Sequence, residues 1–596
     1  MKYKTALVRF SAMTALLLAG CADYSAAPEI QRSPPTSTPE PAHDSAQASP
    51  PPPNAVVSPA AELAPAASAP EMNKPAHAPA PEFEMAYRAA PEMARASNDL
   101  IIITREDKSF PPTFAENSER YGKISDNPVK RVAEEPVSTF SVDVDTGSYS
   151  NVRRMLTHGQ LPPKDAVRVE EMINYFPYRY ARPTDGKPFA VHTATAIAPW
   201  NADRVLLRVA LKGEDMAKET LPPVNLVFLV DVSGSMFSND KLPLLTASLK
   251  LLVNQMRKDD RISLVTYAGS TAVVLSGTPG SDKEKIRAAL DRLNASGSTA
   301  GAAGIKLAYQ EARKNFIRGG INRILLATDG DFNVGITDFD QLKQMIETER
   351  KNGVSFSTLG FGTGNYNEHL MEQLADAGNG AYSYIDSLME GKKVLVNEMT
   401  STLATIAKDV KIQIEFNPAR VSEYRLIGYE NRQLRREDFN NDKVDAGDIG
   451  AGHTVTALYE LTLAGQKGAI DPLRYQPQAK PRDEAANSGE LAFVKLRYKA
   501  PDGEQSTLIE RKITHEASTS IDQADEDFRL AAAVAGFGQL LRGNADLGTW
   551  RYRDARALAR NRGTHAADDA LTDYRGELVK LIELAEALSG RQDEQD

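Results

Sequence analysis

Cysteine is almost missing from this chain. Among 596 residues there is one, Cys21, which excludes a disulfide framework within the chain and any zinc site built from several thiolates. Histidine is sparse as well. The 8 His residues are scattered without a His-Glu-x-x-His pair, so a zinc hydrolase has no ligands to build on. Long apolar runs are lacking: past the N-terminus no stretch reaches the ~18 consecutive apolar residues of a membrane-spanning helix. Positive charge is not in excess either. The 70 Lys and Arg are outnumbered by 80 Asp and Glu, for a formal net charge of −10. No broad phosphate-binding face follows from that balance, and nucleic acid is not an expected partner.

What is present begins around the lone cysteine. Lys2, Lys4 and Arg9 precede a short apolar stretch that ends in Leu16-Leu17-Leu18-Ala19-Gly20-Cys21. By charge and length this reads as a secretory signal peptide over residues 1–20, too short to span a bilayer. The ending Leu-Ala-Gly-Cys resembles the lipobox of bacterial lipoproteins, which implies a diacylglycerol on the Cys21 thiol. An ordinary signal peptide with a chance cysteine is the alternative. Ala22 stands where the inner-membrane retention signal has Asp, so the expected location is the cell envelope, anchored by lipid to the outer membrane.

Residues 21–125 are rich in Pro, Ala, Ser and Glu and contain Pro50-Pro51-Pro52-Pro53. Such a segment has too few bulky apolar side chains to offset ordering entropy, and it reads as a disordered tether of polyproline character. An N-terminal extension follows over 126–223, with helical spacing at 148–158 and 165–176 and alternating, strand-like runs at 189–197 and 205–211. From 224 to 405 the pattern becomes strand then helix, repeated. Its apolar runs at 226–230, 324–327 and 354–359 do not alternate, as in parallel strands buried on both faces. Strands return over 406–520, and residues 189–211 are expected to pair with them, which makes the α/β region an insert in a β-rich unit. The remainder, 521–596, reads as helical, with Leu578, Leu581, Leu584 and Leu588 on one face as core packing.

The chemistry concentrates where a buried strand runs into Asp231-Val232-Ser233-Gly234-Ser235-Met236. Ligand sites of open α/β sheets lie outside the carboxyl ends of strands. Asp231, Ser233 and Ser235 can aim three oxygens at one point from a tight turn. Two later loops add Thr299, from Gly297-Ser298-Thr299-Ala300-Gly301, and Asp329, from Thr328-Asp329-Gly330. Two carboxylates and three hydroxyls suit a hard dication with an open coordination position. The balance of charge is near zero, so an incoming carboxylate is the expected sixth partner.

These residues resemble the von Willebrand factor type A (vWA) domain. The five match its metal-ion-dependent adhesion site one by one. Leu359-Gly360-Phe361-Gly362 and Leu374-Ala375-Asp376-Ala377-Gly378-Asn379-Gly380 add to the match. The resemblance implies a Rossmann-like α/β fold with sheet order 3-2-1-4-5-6. It also implies Mg²⁺ as cofactor, with Mn²⁺ or Ca²⁺ as alternatives, and a protein partner that offers Asp or Glu rather than a reaction. The flanks, 141–149 and 170–176 on one side and 527–538 on the other, resemble the extensions of a bacterial group of such proteins. A scaffolding role with the metal as mere stabiliser is the second expectation.

Asp145-Thr146-Gly147-Ser148 copies the catalytic turn of aspartic proteases, a remote third reading. That chemistry needs two carboxylates sharing a proton, and no second copy of the turn occurs. Because a helical pattern follows, Asp145 to Ser148 is expected to cap that helix. No Gly-x-Ser-x-Gly elbow surrounds Ser233 or Ser235, and the Gly-rich 297–304 loop lacks the Lys-Ser/Thr of a P-loop.

Overall fold

Residues 118–299, 301–330, 339–471, 473–474, 489–514, 519–561 and 570–592 are described by the computed structural model. Cys21 and the expected tether up to residue 117 lie outside them. Residues 118–124, which composition assigns to the tether, are instead tied into the fold. Ser118 and Arg120 donate backbone N–H bonds to the carbonyls of Gly364 and Tyr366, at 2.9 and 2.8 Å. Glu119 pairs with Arg154 at 2.9 Å. Partners distant in sequence order this segment, and local composition carries no trace of them.

Short strands β1 (Lys130–Arg131) and β2 (Val137–Ser141) lead into helix α1 (Gly147–Thr157). The helix expected over 165–176 is broken in two, a 3-10 turn at Lys164–Ala166 and then α2 (Val169–Asn174). Arg168 sits between them with extended dihedrals. Its backbone N–H bonds Ser148 Oγ at 2.9 Å, and its guanidinium bonds Glu368 Oε1 at 2.7 Å. Those tertiary bonds outweigh the local helical spacing.

Strands β3 (Phe189–Ala198) and β4 (Asn201–Gly213) form an antiparallel pair. The α/β region then runs β5 (Val224–Asp231), α3 (Leu242–Gln255), β6 (Arg261–Tyr267), β7 (Thr271–Pro279), α4 (Lys283–Leu290) and α5 (Gly301–Lys314). It continues with β8 (Ile321–Thr328), α6 (Phe339–Lys351), β9 (Ser355–Phe361), α7 (Glu368–Ala377) and β10 (Tyr382–Ile385). The sheet order is β10-β9-β8-β5-β6-β7, which is 3-2-1-4-5-6 read from the other edge. Every pairing is parallel except that of β7 with β6. Strand β5 is buried throughout, because both faces of the sheet are covered. Leu245 and Leu249 of α3 and Ile286 of α4 pack on one side. Ile305 of α5, Ile346 of α6 and Leu374 of α7 pack on the other. Burial on two faces is why the central runs do not alternate.

After β10 come β11 (Thr405–Phe416), β12 (Val421–Ile427), β13 (Ile449–Gly450), β14 (Thr454–Leu463), β15 (Glu490–Lys499), β16 (Ser506–Thr514) and β17 (Thr519–Ser520). They build two sheets, ordered β1-β12-β14-β4-β3-β17 and β13-β11-β15-β16, with β2 added on β11. Strands β3 and β4, which precede the α/β region, thus share a sheet with β12 and β14, which follow it. Strand β4 shows the period-two logic of a layer packed on both sides. Val205, Leu207, Val209 and Leu211 face the second sheet, while Leu206 and Ala210 face the helix Glu526–Arg542.

The closing helix Ala570–Gln592 buries Leu578, Leu581, Ile582 and Ala585. Leu584 was expected on that stripe and is 39% exposed. Steps of three and four residues run through 578, 581, 582 and 585, which leaves 584 on the far side. Among the described residues no helix is long and apolar enough to cross a membrane.

Candidate functional site

Asp231 is the last residue of β5, and its neighbours across the sheet fix it. Its Oδ1 accepts the Ser233 backbone N–H at 2.9 Å. Its Oδ2 accepts the Thr328 hydroxyl, from the end of β8, at 2.8 Å. Tyr267, the last residue of β6, stands opposite Asp231 in register. Burial pushes the Asp231 carboxyl up to about 6, against the bonds from Ser233 and Thr328 that favour its ionised form.

Beyond Asp231 the chain turns through Gly234–Phe237. The Ser233 and Ser235 hydroxyls lie 3.0 Å apart. The loop that carries Thr299 is laced to this turn, with Gly234 N–H on the Gly297 carbonyl at 2.9 Å and Ser296 N–H on the Val232 carbonyl at 2.7 Å. A Cβ on residue 234 would approach the Gly297 oxygen to 3.3 Å, so a glycine lets the two loops close up. Asp329 follows β8 and is wholly buried, as is Asp231; Ser233 and Thr299 are buried too, and Ser235 is half-buried. Four of the five expected oxygen donors are therefore sunk into the end of the sheet, with the half-buried Ser235 at their rim.

The chemistry of that set is hard and all-oxygen. Adjacent ligands of an octahedral Mg²⁺ with bonds of ~2.1 Å stand ~3 Å apart. The spacing of the two serine hydroxyls, 3.0 Å, fits that edge. Among the described residues no group of three or more His, Cys, Asp or Glu is placed to hold a metal ion, so hydroxyls must complete any such shell here.

Sequence reasoning overlooked the residues around the five. The Lys241 ammonium lies 2.9 Å from Asp329 Oδ2 and donates to Asn365 Oδ1 at 3.1 Å. Asn365 Nδ2 in turn reaches Asp329 Oδ2 at 3.4 Å. A lysine just before a helix carries the pattern of a solvated charge, so nothing local announced it. Lys241 also changes the expected charge balance: among the described residues, the two expected carboxylates and this ammonium sum to −1 before any ion enters. Phe237, two residues past Ser235, is 77% exposed.

The Asp145 turn has a different fate. Asp145 Oδ1 accepts the Tyr382 backbone N–H at 2.8 Å, and Oδ2 accepts Arg432 Nη2 at 3.2 Å. Burial and then the neighbouring Asp143 push its carboxyl well above the usual range, while Arg432 pulls it back. Arg432 Nε also bonds Asp143 Oδ2 at 3.1 Å, and the same guanidinium reaches Glu372 at 3.2 Å and Asp376 at 2.6 Å. One arginine thus binds carboxylates of the N-terminal extension and of α7 to the second half of the chain. The expected cap is not made by this turn either. Thr146 stands at the N-cap with no side-chain bond, Ser148 Oγ donates to the Ala166 carbonyl at 2.8 Å, and the Glu171 carboxylate caps α1 by accepting the Ser148 N–H at 2.8 Å.

Strand order, the strand-end Asp-x-Ser-x-Ser turn and its two partner loops define a von Willebrand factor type A domain protein, a class of interaction and scaffolding proteins. The family model described as von Willebrand factor type A domain matches residues 225–397, and those described as von Willebrand factor and as Uncharacterized protein YfbK, C-terminal match residues 115–208 and 401–588. The chain belongs to the YfbK family. It is 52% identical over 480 residues to the Uncharacterized protein YfbK of Escherichia coli (strain K12), covering 79% of this chain and 81% of that one. It is also similar to the Uncharacterized protein sll0103 of Synechocystis, 30% identical over 193 residues, 32% of this chain and 44% of the relative. Similar solved structures include the von Willebrand factor type A protein from Catenulispora acidiphila, at 16% identity and TM-score 0.37, covering 68% of this chain and 92% of that one. The ArnB paralog VWA2 from Sulfolobus acidocaldarius has 16% identity and TM-score 0.32, covering 67% and 98%.

Proposed function

We propose that this protein is held in the bacterial cell envelope by lipid on Cys21, at the outer membrane, and captures a protein partner through a divalent cation. Asp231, Ser233, Ser235, Thr299 and Asp329 would hold the ion, Mg²⁺ first and Mn²⁺ or Ca²⁺ as alternatives. The observation that carries this reading is the gathering of Asp231, Ser233 and Ser235 at the carboxyl end of β5, with Thr328 at the end of β8 bonded to Asp231 and Asp329 just after it acting on the same carboxylate. The ion would supply a concentrated positive charge for a partner's Asp or Glu. The protein's own residues orient the donors: Thr328 and the Ser233 N–H fix the plane of the Asp231 carboxylate, and Lys241 and Asn365 hold Asp329. Exposed Phe237 offers apolar contact area two residues past Ser235.

The test is a crosslinked pull-down from native envelopes with Mg²⁺ and again with chelator. Capture should need the ion and should vanish in Asp231→Ala with the fold retained. Capture by that variant in chelator would sink the mechanism. A second reading, in which an ion only stabilises the loops, gains support from the ion pair that holds Asp329. It predicts a melting point raised by Mg²⁺ with no change in any partner contact.

A further inference from the structure

Lys241 is not a surface lysine that happens to reach an aspartate. Its side chain is 8% exposed and that of Asp329 is 0% exposed, so each charge has left water and depends on the other. Its stem is also fixed in place. Residue 362 has φ +77°, which favours glycine, and a Cβ there would lie 2.3 Å from Lys241 Cγ and Cε. The hydrocarbon chain of Lys241 therefore lies directly on the Gly362 backbone, and its ammonium is delivered to the Asp329–Asn365 pair.

That placement sets the charge seen by an ion and by whatever follows it. Among the described residues of the site, Asp231 and Asp329 with Lys241 sum to −1. A dication brings the loaded site to +1 rather than zero, and one carboxylate then returns it to neutral. In a buried setting of low dielectric, each of these steps is felt strongly.

We propose that Lys241 is a built-in third charge that makes this site take its dication and an acidic group as a pair. Resting on the metal reading above, this adds the regulation of that site. The ammonium opposes the cation bound alone and supports the anion that comes after it. Coupling of this kind is reciprocal, so the carboxylate tightens the ion as much as the ion tightens the carboxylate.

The experiment is a Mn²⁺ titration of the purified chain followed by electron paramagnetic resonance, with acetate and with chloride at equal ionic strength. Wild type should bind Mn²⁺ more tightly in acetate. Lys241→Gln, which keeps a polar group near Asn365 without the charge, should bind Mn²⁺ at least ~10-fold more tightly in chloride and lose most of the acetate effect. Lys241→Arg, which keeps the charge, should follow wild type. Equal or weaker Mn²⁺ binding by Lys241→Gln overturns the proposal, as does a wild type whose Mn²⁺ affinity ignores acetate. The wild-type arm holds even if the glutamine variant fails to fold. Absence of Mn²⁺ binding in wild type and both variants overturns the metal reading itself, a distinct outcome.

Discussion

The Thr328 hydroxyl donates to Asp231 Oδ2 at 2.8 Å, across two neighbouring strand ends. Thr328 Oγ1 itself accepts the Gly330 N–H at 3.1 Å. Thr328 thus orients one candidate ligand and shapes the turn that carries another. Partners that orient a ligand typically carry 10–100-fold of metal affinity. Thr328→Val keeps the β-branched shape and removes the bond, so Mn²⁺ affinity should fall by roughly that factor while the melting point in chelator drops only slightly. Unchanged affinity would show that Asp231 is held without it.

Phe237 is a large apolar side chain left in water, two residues past Ser235. Aromatic side chains are enriched in the buried core of protein interfaces. Phe237→Ala should leave the melting point and Mn²⁺ affinity alone and lower crosslinked capture by roughly ten-fold. Capture equal to wild type would remove Phe237 from the contact surface.

Arg432 balances Asp143, Asp145 and Glu372, all buried. Removing one partner of a buried ion pair leaves the others uncompensated and costs on the order of 3–5 kcal/mol. Arg432→Met should therefore lower the urea midpoint strongly. Adding Asp145→Asn to it should recover part of the loss, because one uncompensated charge is gone. Additive effects of the two changes would rule out the network.

Two groups lining a cavity of about 290 Å³ at the junction of the α/β region and the β sheets give opposite pH limbs. Burial pushes the Asp448 carboxyl up to about 7. The fold therefore holds this proton where the unfolded chain has released it, and stability is lost as pH rises from about 4 through 7. Asp448→Asn should raise the melting point at pH 8 and leave it unchanged at pH 4. Burial and then Lys393 and Lys212 push the His453 imidazole down to about 4. The unfolded chain takes up that proton first, so stability is lost as pH falls from about 6.5 to 4. His453→Gln should flatten this acid limb in melting curves, and a limb that persists would assign it to other groups.

Much of the architecture is legible in the chain alone, because its signals are local. Unbroken apolar runs mark strands buried on both faces, as at β5 and β8, and alternation marks a sheet layer, as at β4. Asp231, Ser233 and Ser235 declare themselves because three donors lie within five residues at the end of such a strand. Tertiary structure alone decided the rest. Lys241 reaches Asp329 across 88 positions, Arg432 reaches Asp145 across 287, and Arg168 breaks an expected helix to bond Glu368, 200 residues away. Ser118 and Arg120, in the segment read as tether, are held by a loop more than two hundred positions further on. A buried charge is decided by the counter-charge the fold delivers to it, and no local pattern records that partner.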